Sequence, residues 1–175
     1  RRGPFPIAAG AFKVLLFTGA RCGEVITLKW SYLDLEHGLA HLPDSKTGAK
    51  TIHLPAAART VLESLPRINE YCFPGRYERG HIVNIKNAWQ RILTHAGLSG
   101  WRIHDLRHAF ASYAVNSGQG LPIIGKMLGH TQAATTQRYA HVADNPVAMA
   151  AEETARQIQK DLSGGRILPF RKAAG

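Results

Sequence analysis

Ile103-His104-Asp105-Leu106-Arg107-His108-Ala109-Phe110-Ala111-Ser112-Tyr113 sets Ile103, Leu106, Phe110 and Tyr113 at helical spacing. That period predicts a helix over 104–117 with its apolar side in a core. His104 and Arg107 are three residues apart, so they project from one face, about 60° apart. The apolar stripe buries the adjoining side and leaves the pair pointing into a cleft. A helix cap or a solvated face would also account for the pair, although the flanking Asp105 and His108 argue against a purely solvated one. His104 and His108 stand four apart, a spacing that suits zinc. A metal site needs further ligands, and no carboxylate-rich partner motif is present, so none is expected.

On the N-terminal side, residues 8–17 read as a buried helix ended by Thr18-Gly19, and 23–28 as a short second one. Strands are expected at 32–35, 39–42 and 51–54, joined by turn-rich 36–38 and 44–50. The small antiparallel sheet they form puts Lys46 on a hairpin tip. Helices follow at 56–65 and, past the break at Phe73-Pro74-Gly75, at 81–96, where Gly97 stops the second. On the C-terminal side come helical segments at 122–128, 133–138 and 146–162. The last carries Val147, Ala151, Ala155, Ile158 and Leu162 on one face, and 163–175 mixes Gly, Pro and Arg in a loose basic tail. The expected fold is mainly α with a small antiparallel β-sheet (α+β), in one domain over 1–162.

A chain of 175 residues with 45% apolar content can bury a proper core. Lys and Arg number 22 against 12 Asp and Glu, a net charge of +10 spread along the chain. That balance favours a polyanionic partner, nucleic acid first. Cys22 and Cys72 have neither metal-like spacing nor a disulfide pattern, which fits a reducing cytosol. Arg1-Arg2 and the apolar run to Ala20 imitate a signal peptide, but Lys13 interrupts the run and no initiator Met precedes it, so secretion is rejected. The missing Met suggests a piece of a longer protein. No stretch approaches a membrane span. Gly48-Ala49-Lys50-Thr51 lacks the spacing of a phosphate-binding P-loop, and no acidic set for a two-metal nuclease occurs.

Five further positions bear on the chemistry. Arg21, in Thr18-Gly19-Ala20-Arg21, opens a helix, and its guanidinium can fork onto two phosphate oxygens. Glu24, one turn on, can hold it, although an ordinary surface ion pair at i, i+3 gives the same pattern. Lys46, in Asp44-Ser45-Lys46-Thr47-Gly48, is an exposed turn lysine, with Lys50 and Lys29 as nearby candidates. His130 follows Leu128-Gly129, where the chain reverses, and a lone histidine there reads equally as structural. Tyr139 follows Thr136-Gln137-Arg138. Its ring can serve the core, or its hydroxyl, with an ordinary pKa near 10, can attack if cations stabilise the phenolate.

In this order Arg21, Lys46, His104-x-x-Arg107, Leu128-Gly129-His130 and Tyr139 resemble the catalytic domain of the tyrosine recombinase (phage integrase) family. The nine residues from His130 to Tyr139 are the spacing the family shows between its last histidine and its nucleophile. The resemblance implies that Tyr139 attacks a DNA phosphate to form a 3′-phosphotyrosyl link and release a 5′ hydroxyl. Arg21, Arg107 and His130 would hold the non-bridging oxygens, Glu24 would order Arg21, Lys46 would be the general acid and His104 would assist proton transfer. It implies no cofactor and no metal. The implied partners are double-stranded DNA, copies of the chain assembled as a tetramer through the C-terminal segment, and accessory DNA-bending proteins, with no membrane. The implied location is the cytoplasm, on the nucleoid of a bacterium or on phage DNA. Family members also carry an N-terminal helical domain that completes a clamp on DNA. Without it, binding is expected to be weak, phosphate-directed and steeply salt-dependent. A type IB topoisomerase-like strand transferase is the enzyme alternative, and a catalytically silent DNA-binding relative is the other.

Overall fold

The structure is a computed structural model that describes residues 4–43, 48–76, 79–130, 134–137, 139, 151, 152, 154–156 and 159. Helices α1 (Pro4–Thr18) and α2 (Cys22–Ile26) lead into a 3-10 turn (Trp30–Tyr32). Strands β1 (Leu33–Asp34), β2 (Leu39–Leu42) and β3 (Lys50–His53) follow, then helices α3 (Ala56–Glu63), α4 (Lys86–His95), α5 (Asp105–Asn116), α6 (Leu121–Leu128) and α7 (Ala134–Gln137). The sheet is antiparallel in the order β1-β2-β3, with Leu33 opposite Ala40 and Ala40 opposite Ile52. The mainly helical fold with one small sheet is thus as the sequence reads.

Several boundaries differ, each for a local reason. Helix α1 begins at Pro4 rather than residue 8. Pro4 and Pro6 occupy its first turn, where amide hydrogens have no intrahelical acceptor, so neither removes a bond. Strand β1 is only two residues long because the chain before it is coiled, with the Tyr32 amide bonded to Lys29 O. Helix α4 starts at Lys86 rather than at 81. His81 instead pairs with Pro74, and the Ile82 amide donates to Phe73 O, so these residues extend a strand-like bridge.

Helix α1 is the hub, packing against α2, α3, α4 and α5. Its Ala8, Ala11, Phe12, Val14 and Leu15 are buried, with Leu28, Ala40, Leu62 and Phe73 among their neighbours in the main core. Burying a side chain such as Leu62 or Phe73 contributes roughly 1.5–3 kcal/mol. Cys72 lies in this core, and burial pushes its thiol up to about 12, so it packs as a small apolar group. A second, smaller core joins Ala111, Ala114 and Val115 of α5 to Ile124 and Leu128 of α6 and the ring of Tyr139.

The face of α5 corrects one expectation. Its buried residues are Arg107, Ala111, Ala114 and Val115, while Tyr113, which shares the helical spacing of Ile103, Leu106 and Phe110, is 72% exposed. Small alanines let α1 and α6 come close to α5, so the helix turns that side inward. Lys46 lies outside the described residues, as does most of the expected helix at 146–162 and all of the tail at 163–175. Within that helix, 151, 152, 154–156 and 159 are helical. Among the described residues no helix is long and apolar enough to cross a membrane.

Candidate active site

Arg107 is 5% exposed. Its Nη1 donates to Gly19 O at 2.6 Å and its Nη2 to Leu128 O at 2.8 Å. One buried guanidinium therefore ties the C-terminal ends of α1 and α6 to α5. Both carbonyls sit at helix ends, where oxygens lack intrahelical donors. Gly129 takes the left-handed conformation (φ 67°) that caps α6, which reverses the chain and delivers His130. The expected cleft position of this arginine is thus an inward one, with its plane set by two main-chain oxygens.

Glu24 is a second node. It accepts the Arg21 amide at 2.8 Å and Arg21 Nη1 at 2.9 Å, as the i, i+3 spacing suggests. It also accepts Lys50 Nζ at 2.8 Å. Lys50 reaches on toward Leu128 O at 3.5 Å, the carbonyl that Arg107 uses. Arg21, Lys50 and Arg107, gathered around Glu24 and the Leu128 carbonyl, thus make a contiguous cationic cluster suited to an anion. Burial works to raise the Glu24 carboxyl, but the Lys50 hydrogen bond, the Arg21 amide and the nearby charges outweigh it and hold the group below its ordinary value. Desolvation lowers the Lys50 ammonium, and Arg107 and Arg21 add to that effect. Glu24 pulls the other way without cancelling it.

The histidines and the tyrosine complete the arrangement. His104 is exposed, yet desolvation against the surface, with the charges of His108, Arg107 and Arg102, holds its imidazole below its ordinary value. Its ring meets His108 edge to face, with centroids 4.9 Å apart. His130 is half-buried, and its Nδ1 lies 2.9 Å from Thr136 Oγ1, joining the end of α6 to α7. Tyr139 is 5% exposed, and its hydroxyl lies 2.7 Å from His108 Nδ1. Among the described residues no group of three or more His, Cys, Asp or Glu side chains is placed to hold a metal.

Two participants escape the sequence reading. Lys50 stands there only as an alternative to Lys46, because no local pattern predicts that it would turn back toward Glu24, 26 residues earlier. His108 is noticed only as a neighbour of His104. Its link to Tyr139 spans 31 residues and leaves no periodic signal.

The phage integrase family profile matches residues 7–146. The shufflon-specific DNA recombinase of Escherichia coli is 30% identical over 156 residues, covering 85% of this chain and 38% of that protein. Tyrosine recombinase XerA of Thermococcus kodakarensis is 32% identical over 158 residues, covering 84% of this chain and 55% of that one. Such relatives are longer: this chain spans between 38% and 56% of their length. Among solved structures, XerA recombinase superposes with a TM-score of 0.66 at 25% identity, over 85% of this chain and 57% of that one. The catalytic domain of bacteriophage HP1 integrase shares the fold, with a TM-score of 0.60 at 22% identity, over 85% of this chain and 89% of that domain. By a match that spans most of its length and takes in both the arginine–glutamate node and Tyr139, this chain belongs to the phage integrase family of tyrosine recombinases.

Proposed function

We propose that this domain, residues 1–162 with a basic tail at 163–175, breaks and rejoins double-stranded DNA at a specific site through a 3′-phosphotyrosyl intermediate. The observation that carries the reading is the Tyr139 hydroxyl, hydrogen-bonded to the helix that also bears His104 and Arg107. The net charge of +10 and the relatives named as DNA recombinases support DNA as the substrate.

In the reaction, Tyr139 Oη forms a bond to phosphorus while the bond from phosphorus to the 5′ oxygen breaks. Arg21, Arg107 and His130 hold the non-bridging oxygens as charge builds on them, and losing one such donor costs about 3–4 kcal/mol of transition-state stabilisation. Glu24 keeps Arg21 in place. Lys46 gives a proton to the departing 5′ oxygen, and His104 assists proton transfer. The phosphotyrosyl link conserves the energy of the broken bond, so a 5′ hydroxyl from a partner strand reverses the step without a cofactor.

The acting form is a tetramer on DNA, joined through the C-terminal segment, with DNA-bending proteins as accessories. The exposure of Ala151 and Ala155, two members of the apolar stripe expected at 146–162, supports an external partner for that stripe. The working location is the cytoplasm, on nucleoid or phage DNA.

The test is covalent trapping. The protein is incubated with a nicked duplex carrying a sequence that it selects from a random pool, then run on a denaturing gel. The expected result is a 3′-linked protein–DNA adduct from the wild type and none from Tyr139→Phe, which still binds the duplex. No adduct from wild-type protein on demonstrably bound DNA would overturn the reading in favour of a silent DNA-binding relative.

A further inference from the structure

We propose that His108 is a catalytic residue of this site, the base that takes the Tyr139 phenol proton during attack and returns it on rejoining. The proposal rests on the strand-cleavage reading above. A phenol with a pKa near 10 attacks poorly at neutral pH, so its proton needs an acceptor in the transition state. His108 Nδ1 lies 2.7 Å from the hydroxyl, within the reach such a base requires. The rings are tilted by 50° with centroids 5.9 Å apart, so the pair meets through its polar atoms rather than by stacking.

His108 follows Arg107 on α5, and that arginine is fixed by two main-chain carbonyls. The base is therefore carried by a helix tied to the ends of α1 and α6, and the nucleophile comes to it from the α7 end. His104, Asp105 and Arg107 flank it on its own helix, with the His104 ring edge to face against its own. Asp105 is engaged elsewhere, accepting the Arg102 amide and guanidinium at 2.7 and 3.0 Å. The required tautomer carries its hydrogen on Nε2 and leaves Nδ1 to accept from Tyr139.

The step balances. The O–H proton passes to Nδ1 as Oη bonds to phosphorus, and the leaving 5′ oxygen receives a different proton, from the general acid. In the reverse step the 5′ hydroxyl loses its proton to that acid's conjugate base, and the phenolate regains its own from His108.

The experiment measures single-turnover adduct formation on the nicked duplex by wild type, His108→Ala, His108→Gln, Lys46→Ala and Tyr139→Phe. DNA affinity and thermal melting are measured on each. His108→Ala should bind DNA as the wild type does but form adduct roughly 100-fold more slowly or worse. Added imidazole should restore part of its rate and do nothing for Tyr139→Phe. A 5′-bridging phosphorothiolate, whose thiolate departs without a proton, should relieve Lys46→Ala and leave His108→Ala slow. Wild-type rates in His108→Ala, full recovery with His108→Gln, or relief by the phosphorothiolate would overturn the assignment while the adduct itself upholds the strand-cleavage reading. Absence of adduct from the wild type would sink both.

Discussion

At the scale of single residues, Arg107 depends on two turns that lie far from it in the chain. Gly19 has φ of 64°, and a side chain there would collide with the Phe110 ring and meet Leu128 Cδ2 at 2.9 Å. The residue thus supplies both a left-handed turn and the close approach that aims its carbonyl at Arg107. Gly19→Ala should cost about 2 kcal/mol or more, from left-handed strain together with overpacking. Gly23 has an ordinary φ and nothing within 4 Å of an added Cβ, so Gly23→Ala should be near neutral. Urea unfolding of the two variants checks this, and equal midpoints would refute it. The sequence makes Gly19 legible as a helix stop, since Thr18-Gly19 ends an apolar run. It gives no sign that the same carbonyl receives an arginine 88 residues later.

At the scale of elements, Glu24 joins α2 to β3. Its side chain is 6% exposed and that of Lys50 10%, so either charge left alone would be poorly solvated. Removing one partner of such a pair costs about 3–5 kcal/mol, while replacing both can be nearly neutral. Glu24→Gln should therefore be strongly destabilising, and Glu24→Gln with Lys50→Met much less so than the two single changes summed. A double-mutant cycle by chemical denaturation reads the coupling. Acid gives an independent measure. The folded carboxyl of Glu24 is held below its ordinary value, so its contribution is present above that value and fades as pH falls through the depressed one. Melting temperatures should drop less steeply over that acidic window in Glu24→Gln than in wild type, and parallel curves would contradict the assignment. The local half of this node, Arg21 with Glu24 at i, i+3, is visible in the sequence. The β3 half is not, because strand register and the course of the hairpin decide where Lys50 points.

At the scale of the whole molecule, the apolar stripe expected at 146–162 needs a cover, and Ala151 and Ala155 are exposed. A chain cut after Asp144 should bind a duplex carrying paired sites but sediment on it as smaller complexes than the full chain forms. Unchanged assembly together with a lower melting temperature would assign the stripe to its own domain instead. The exposed Tyr113 (72%) belongs to the same scale. Helical spacing places it with Ile103, Leu106 and Phe110, yet which side of α5 faces inward is decided by how closely α1 and α6 pack against it.

Periodicity and turn residues in the sequence determined the described helices to within a few positions, the three-stranded sheet and the chain order of Arg21, His104, Arg107, His130 and Tyr139, because these depend on neighbours close in the chain. Only the tertiary structure decided that Arg107 is held inward by Gly19 and Leu128, that Lys50 meets Glu24, and that His108 meets the Tyr139 hydroxyl. Those contacts are closed by packing between elements, and the hydrogen bonds that fix them depend on angles and distances that no spacing along the chain encodes.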